Sequence, residues 1–345
     1  MSYLKRRVGK IVFHGALLVA LSVFSTVAFL SHDSNPASAQ ARPQGSDKLR
    51  IALSMTPQNG LLFIAEARGT FAKHGLKVTP VPVAHGKAGL ELLTKGEADL
   101  TMAAETPTVI AIMNGEALSF ALNILAVNGH AVIARRDRGI AKVADLVGKR
   151  IGVSFGTSGE YYLWALLVRH KIAPDSVILV DLLPAELAPA LARGTIDAAA
   201  TWPPFVYDAQ KSLNGSASTF TDPDVYTQGM VLVGRSTYLK EHRRAIEKLT
   251  RALLEAEQFA HQKPDEALAI VARYLKRDID ILRPVWKIQT FRVNLLQSHL
   301  VTLEHEARWA MARGYAVKGP VPNFLDNLYL DALLAVDPKR VTVVR

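Results

Sequence analysis

No cysteine occurs anywhere in the 345-residue chain. Its absence excludes disulfides, a thiolate nucleophile, cysteine zinc sites and a lipid joined to a processed N-terminal cysteine. The ten histidines are scattered and give no His-Glu-x-x-His frame: after His305 and Glu306, Trp309 stands where the second histidine of a zinc helix would fall. A Gly-x-x-x-x-Gly-Lys-Ser/Thr loop is missing too, and neither cofactor nor metal is expected. No Gly/Ser- or Pro-rich linker divides the sequence, the nearest approach being "KSLNGSAST" at 211–219. Any two domains must therefore be joined by structured segments.

One long apolar run is present, "IVFHGALLVALSVFSTVAFL" from Ile11 to Leu30, preceded by Lys5, Arg6, Arg7 and Lys10 and followed by Ala37-Ser38-Ala39. This order reads as a secretory signal over residues 1–39, cleaved to leave a mature chain near Gln40; an uncleaved membrane anchor is the alternative. The formal net charge is +10. Residues 1–39 hold four basic groups and Asp33, which leaves 37 basic against 30 acidic, or +7, for the remainder. The excess sits on helical faces such as "KEHRRAIEKLTR" without interleaved aromatics, a solvated surface rather than a nucleic-acid stripe.

About 300 mature residues suggest two domains or lobes. From Leu49 apolar strands alternate with one-striped helices: "LRIALS", "LLFIAEARGTFAKHG", "LKVTPVPV", "KAGLELLTKG", "ADLTMAAE", "PTVIAIMNGE". A second series runs from "RIGVSFG" to "TIDAAATW", and the chain is largely helical from Lys240. Such strands predict an α/β fold with parallel sheets covered on both faces. "LTKGEADLTMAAETP" (93–107) and "LARGTIDAAATWPPF" (191–205) align Gly96 with Gly194 and Asp99 with Asp197, so the two series are expected to form lobes built alike. Ligands of open parallel sheets bind beyond the carboxyl ends of the strands. That places Thr56, Gln58, Asn59, Glu105, Thr106, Thr157, Ser158 and Trp202 at one crevice.

"GVSFGTSGEYYLWALLVRH" (152–170) joins a strand to a helix through small residues. The helix start exposes N–H groups carrying about half a positive charge, which suits an anion; simple helix capping by Thr157 or Ser158 is the alternative. Tyr161 and Tyr162 are adjacent and must face different ways, one toward the crevice and one toward core or solvent. His85 and Lys87 in "VAHGKAG" should open on the same crevice. Asn128 and His130 in "AVNGHAV" are candidate hinge or wall residues, whereas Asp222 in "TDPD" reads as a turn residue.

Five segments in order, "GLLFIAEARGTFAKHGLKV", "GLELLTKGEADLTMAAETP", "VADLVGKRIGVSFGTSGEYYLWALL", "LARGTIDAAATWPPF" and "GPVPNFLDNLYLDALL", make the chain similar to the nitrate/sulfonate/taurine (NMT1/THI5-like) family of periplasmic substrate-binding proteins of ABC transporters. The resemblance implies a two-lobed type II periplasmic binding protein fold, each lobe a mostly parallel sheet flanked by helices, with a helical C-terminal region. It divides the chain into 48–134 (first part of lobe 1), 135–228 (lobe 2) and 229–345 (second part of lobe 1), with crossings at Ala134–Arg138 and Gln228–Leu232. It also implies a monomer that closes on a small anionic or zwitterionic solute and delivers it to a membrane permease with a cytoplasmic ATPase, and it favours Tyr161 for the ligand. Catalytic relatives of the fold rely on cysteine, which argues against an enzyme. A periplasmic sensing module and a binder of a neutral pyrimidine-like heterocycle are the alternatives. If Glu105 faces an anion held by Thr157 and Ser158, and Trp202 offers its ring, an amine-bearing sulfonate such as taurine is expected.

Overall fold

The computed structural model describes residues 47–344; the expected signal segment, residues 1–39, lies outside them. Among the described residues eleven strands form two sheets. The six-stranded sheet contains β1 (Asp47–Ser54), β2 (Leu76–Val83), β3 (Leu100–Ala104), β4 (Leu118–Val127), β10 (Gln228–Arg235) and β11 (Gln289–Asn294), in the order β11-β4-β10-β3-β1-β2. The five-stranded sheet contains β5 (Ala131–Arg135), β6 (Arg150–Val153), β7 (Ile178–Asp181), β8 (Ala198–Thr201) and β9 (Ala217–Phe220), in the order β7-β6-β8-β5-β9. The expected parallel strands form β2-β1-β3 in one sheet and β7-β6-β8 in the other. Antiparallel strands complete each sheet: β10 lies between β3 and β4, and β5 lies between β8 and β9.

Helices cover the sheets because their apolar residues recur every three or four positions. In Arg243–Gln262, Ile246, Leu249, Leu253, Ala256 and Ala260 are buried while Arg243, Arg244 and Arg251 face water. Each large aliphatic residue so buried contributes ~1.5–3 kcal/mol against exposure.

The chain passes between the sheets at 128–130 and again at 221–227, not at Ala134–Arg138 and Gln228–Leu232. Hydropathy could not show the first passage, because the largely apolar run extends from Leu118 into Ala134, and Asn128-Gly129-His130 is only its longest break beside the single polar residues Ser119 and Asn123. Gly129 fits there for want of a side chain: a Cβ would come 2.6 Å from Ile288 Cδ1 and 2.9 Å from Pro203 Cγ. A third link is the helix Gln297–Arg313. It packs on the helix Glu105–Met113, and its Trp309 and Ala310 join the core around Tyr161 and Tyr162 of the five-stranded lobe.

The paired Gly-x-x-Asp motifs build the same joint twice. Asp99 accepts from the Arg50 backbone N–H at 2.7 Å and pairs with its guanidinium at 2.8 Å, while that guanidinium also donates to the Gly96 carbonyl at 2.8 Å. In the other lobe Asp197 takes the Arg150 N–H at 2.9 Å and its guanidinium at 3.3 Å, and Arg150 donates to the Gly194 carbonyl at 2.9 Å. Burial would raise both aspartates, but the arginine bonds and charges outweigh it and hold each below the usual carboxylate range. Each joint ties a helix end to the strand whose far end reaches the cleft.

Candidate ligand-binding cleft

Between the lobes lies a partly open cleft. It is reached by the chain leaving β1, β2, β3, β6 and β8, and by the start of β10. Among the expected residues it brings together Thr56, Gln58, Thr157, Ser158 and Trp202, along with His85 and Lys87. Ser54, Phe205, Gln228 and Met230 complete much of its wall.

Two helices start at this cleft, Gly86–Thr94 and Ser158–Arg169. The second begins without a side-chain cap, since the Thr157 hydroxyl donates instead to the Ser154 carbonyl at 2.6 Å. Its first N–H groups are therefore left for other acceptors. Gly156, with φ +67, makes the left-handed bend before the helix, and its N–H is held by Glu160 at 2.8 Å. Glu160 also pairs with Arg313 at 3.4 Å and accepts from the Tyr315 hydroxyl, which fixes the loop from below. Across the cleft, Gly86 lies so close to β3 that a Cβ would stand 2.6 Å from the Ala103 Cα. That contact sets where the other helix begins.

Besides the Glu160 contacts with Arg313 and Tyr315, two further hydrogen bonds join the lobes beside the cleft. Lys87 Nζ donates to the Phe155 carbonyl at 2.8 Å, and the Gln58 amide donates to the Pro203 carbonyl. His85 Nδ1 accepts from the Ala88 N–H at 3.3 Å; burial, with help from Lys87, lowers its pKa and keeps the ring neutral. No aspartate or glutamate is among the described residues lining the cleft. Its one formal charge is the Lys87 ammonium, and Trp202, Phe205 and Met230 supply apolar surface.

Five expected site residues, Asn128 among them, lie elsewhere. Asn59 is fully buried and donates to the Ser54 carbonyl at 2.6 Å, supporting the loop behind Thr56. Glu105, expected to face a ligand amine, is turned beneath the cleft: it accepts from the Gly229 N–H at 2.7 Å and lies 3.5 Å from the Tyr226 hydroxyl. Burial pushes its carboxyl up to about 7. Thr106 donates to Glu306, and Glu306 Oε1 also takes the Tyr226 hydroxyl at 3.2 Å. Burial, and then the charge of Glu105, raises the Glu306 carboxyl well above its ordinary value. Tyr161 packs edge-on to Tyr226 and Trp309, with ring centroids 5.0 and 5.4 Å away, and is a core residue. At the end of β3 the last strand residue, Ala104, meets the cleft while the first helical residue, Glu105, turns inward.

Asn128 lines a second, open cavity at the passages between sheets, shared with Gly129, His130, Tyr207, Asp222 and Tyr226. Asp222 is the expected turn residue, accepting from the Asp224 N–H at 3.0 Å while its own N–H donates to the Tyr162 hydroxyl at 3.0 Å. Among the described residues no cluster of histidine, aspartate or glutamate is placed to hold a metal ion, and no helix is long and apolar enough to cross a membrane.

A family model described as NMT1/THI5 like matches residues 56–267. A protein of Bacillus subtilis (strain 168) named for binding aliphatic sulfonates is 24% identical over 87% of this chain and 91% of its own. The taurine-binding periplasmic protein of Escherichia coli (strain K12) is 28% identical over 59% of this chain and 63% of its own. Among solved structures, the alkanesulfonate-binding protein SsuA from Xanthomonas axonopodis pv. citri, bound to MOPS, superposes with a TM-score of 0.71 at 20% identity, covering 82% of this chain and 98% of that one.

Proposed function

The chain belongs to the NMT1/THI5-like family, and from that premise we propose that it is the extracytoplasmic solute-binding component of an ABC importer, taking an organosulfonate between its lobes and delivering it to a membrane permease. The observation that carries this reading is the cleft's electrostatic make-up: two helix starts and Lys87 converge on it, and no carboxylate lines it. Such a site favours an anion and gives a cationic group no charged partner. Trp202, Phe205 and Met230 offer a surface for an apolar tail, which nitrate lacks. The names of the relatives, for aliphatic sulfonates and taurine, agree with this class.

An amine-bearing sulfonate is not favoured over a plain one, because Glu105, the carboxylate that would meet the amine, is bonded to the Gly229 N–H away from the cleft lining. Thr157, Ser158 and Lys87, together with the free N–H groups of the Ser158–Arg169 helix, are the groups assigned to the anionic head. Three charge-assisted hydrogen bonds at ~1.5–3 kcal/mol each supply much of the ~8 kcal/mol that micromolar affinity requires, before the costs of association. The relatives are named for binding, which supports reading this protein's work as binding rather than catalysis.

Thermal denaturation against a panel of solutes tests the proposal. A sulfonate present at about a hundred times its Kd should stabilise the protein by ~2.7 kcal/mol, while uracil at the same concentration should leave the transition where it was. Stabilisation by uracil and none by any sulfonate would overturn the reading.

A further inference from the structure

We propose that His130 is a positioning residue that makes the Ser158 hydroxyl a hydrogen-bond donor toward the cleft and so selects a ligand head rich in acceptors. The inference rests on the sulfonate reading for the ligand's identity and on the geometry for everything else. His130 stands at the first passage between the sheets, 4% exposed, walled by Tyr162, Tyr226 and Trp202 with ring centroids 5.4, 5.2 and 6.3 Å away. Its Nε2 lies 3.1 Å from Ser158 Oγ, and its buried Nδ1 has no partner among the described residues.

A neutral imidazole carries one N–H and one bare lone pair. Burying an unpaired N–H is costlier and rarer than burying an under-used acceptor. The orphan Nδ1 is therefore the lone-pair nitrogen, and the proton sits on Nε2, donating to Ser158 Oγ. Burial drives the ring's pKa down to about 3, so it stays neutral near pH 7. The hydroxyl accepts from His130 and makes no other hydrogen bond to the described residues, while Ser158 lines the cleft. Its own proton is left for a ligand acceptor. With the opposite tautomer, the hydroxyl proton would go to Nε2 and the serine would show only lone pairs to the cleft, repelling an anion. Gly129, next to His130, leaves no room for a side chain between it and Ile288 and Pro203.

Two measurements test the proposal. Nitrogen-15 NMR of histidine-labelled protein should show His130 neutral and protonated at Nε2 down to pH 5; an Nδ1–H tautomer would overturn it whatever the ligand. Calorimetry with ethanesulfonate should show His130→Phe weakening binding about tenfold, and His130→Gln, which can place an amide N–H on Ser158, keeping it within about threefold. In a Ser158→Ala background His130→Phe should cost less than about twofold. Equal losses in both backgrounds, or a Gln variant no better than Phe, would reduce His130 to a packing residue. If the wild type binds no sulfonate, the functional reading falls, and the nitrogen spectrum alone decides the proton's place.

Discussion

Glu105→Gln separates the two roles that this carboxyl can have. Its folded-state pKa is raised from 4.5 to about 7 by burial, against the opposing bonds from Gly229 and Tyr226. A carboxyl raised in this way stabilises the fold fully below its unfolded pKa, and the stabilisation is lost as pH rises through the folded value. The span from 4.5 to about 7 corresponds to ~3 kcal/mol. Wild-type stability should therefore decline between about pH 5 and pH 8, with Glu306, raised by burial and by the Glu105 charge, adding to the same trend. Glutamine keeps an oxygen for the Gly229 N–H and does not titrate, so the variant should lose most of this slope and show its largest advantage near pH 8. Urea denaturation at half-unit pH steps measures it. The variant should also leave the ratio of taurine to ethanesulfonate affinity unchanged, since the side chain lies beneath the cleft. Parallel stability profiles for the two proteins, or a selective loss of taurine, would refute the reasoning.

Lys87→Gln should weaken ethanesulfonate binding by roughly ten- to a hundredfold in calorimetry, the loss of one charge-assisted hydrogen bond; a change below about threefold would remove Lys87 from the site. Trp202→Ala should cost more affinity for benzenesulfonate than for ethanesulfonate, because the ring is assigned to the apolar tail, and equal losses would contradict that. Gly156→Ala forces a side chain into φ +67, where its Cβ would also lie 3.4 Å from Lys87 Nζ. It should lower stability by ~1 kcal/mol in urea denaturation and reduce sulfonate affinity as well.

The repeated joint was legible because Gly96/Asp99 and Gly194/Asp197 stand at equal distances before strands of like composition, and each aspartate found an arginine one strand away. Thr56, Gln58, Thr157, Ser158 and Trp202 were legible because strand ends can be read from sequence and all of them follow a carboxyl end. Glu105, Thr106 and Tyr161 were misplaced for a geometric reason. Sequence shows where a strand gives way to a helix, not which face of the first turn meets the ligand, and one residue of rotation separates Ala104 at the cleft from Glu105 beneath it. Gln228 and Met230 carried no local signal at all. They reach the cleft because β10 inserts antiparallel between β3 and β4, a pairing that joins residues more than a hundred positions apart. His130 gave a hint only as a polar break in an apolar run, and its bond to Ser158 needed the fold.

Calorimetric titration of the purified protein with ethanesulfonate, taurine and nitrate tests the central claim that a carboxylate-free, electropositive cleft with an apolar wall binds an organosulfonate. The account predicts one site per chain, ethanesulfonate binding at least as tightly as taurine, and nitrate weaker than both. Taurine binding tenfold or more tightly than ethanesulfonate, or nitrate binding most tightly of the three, would contradict it.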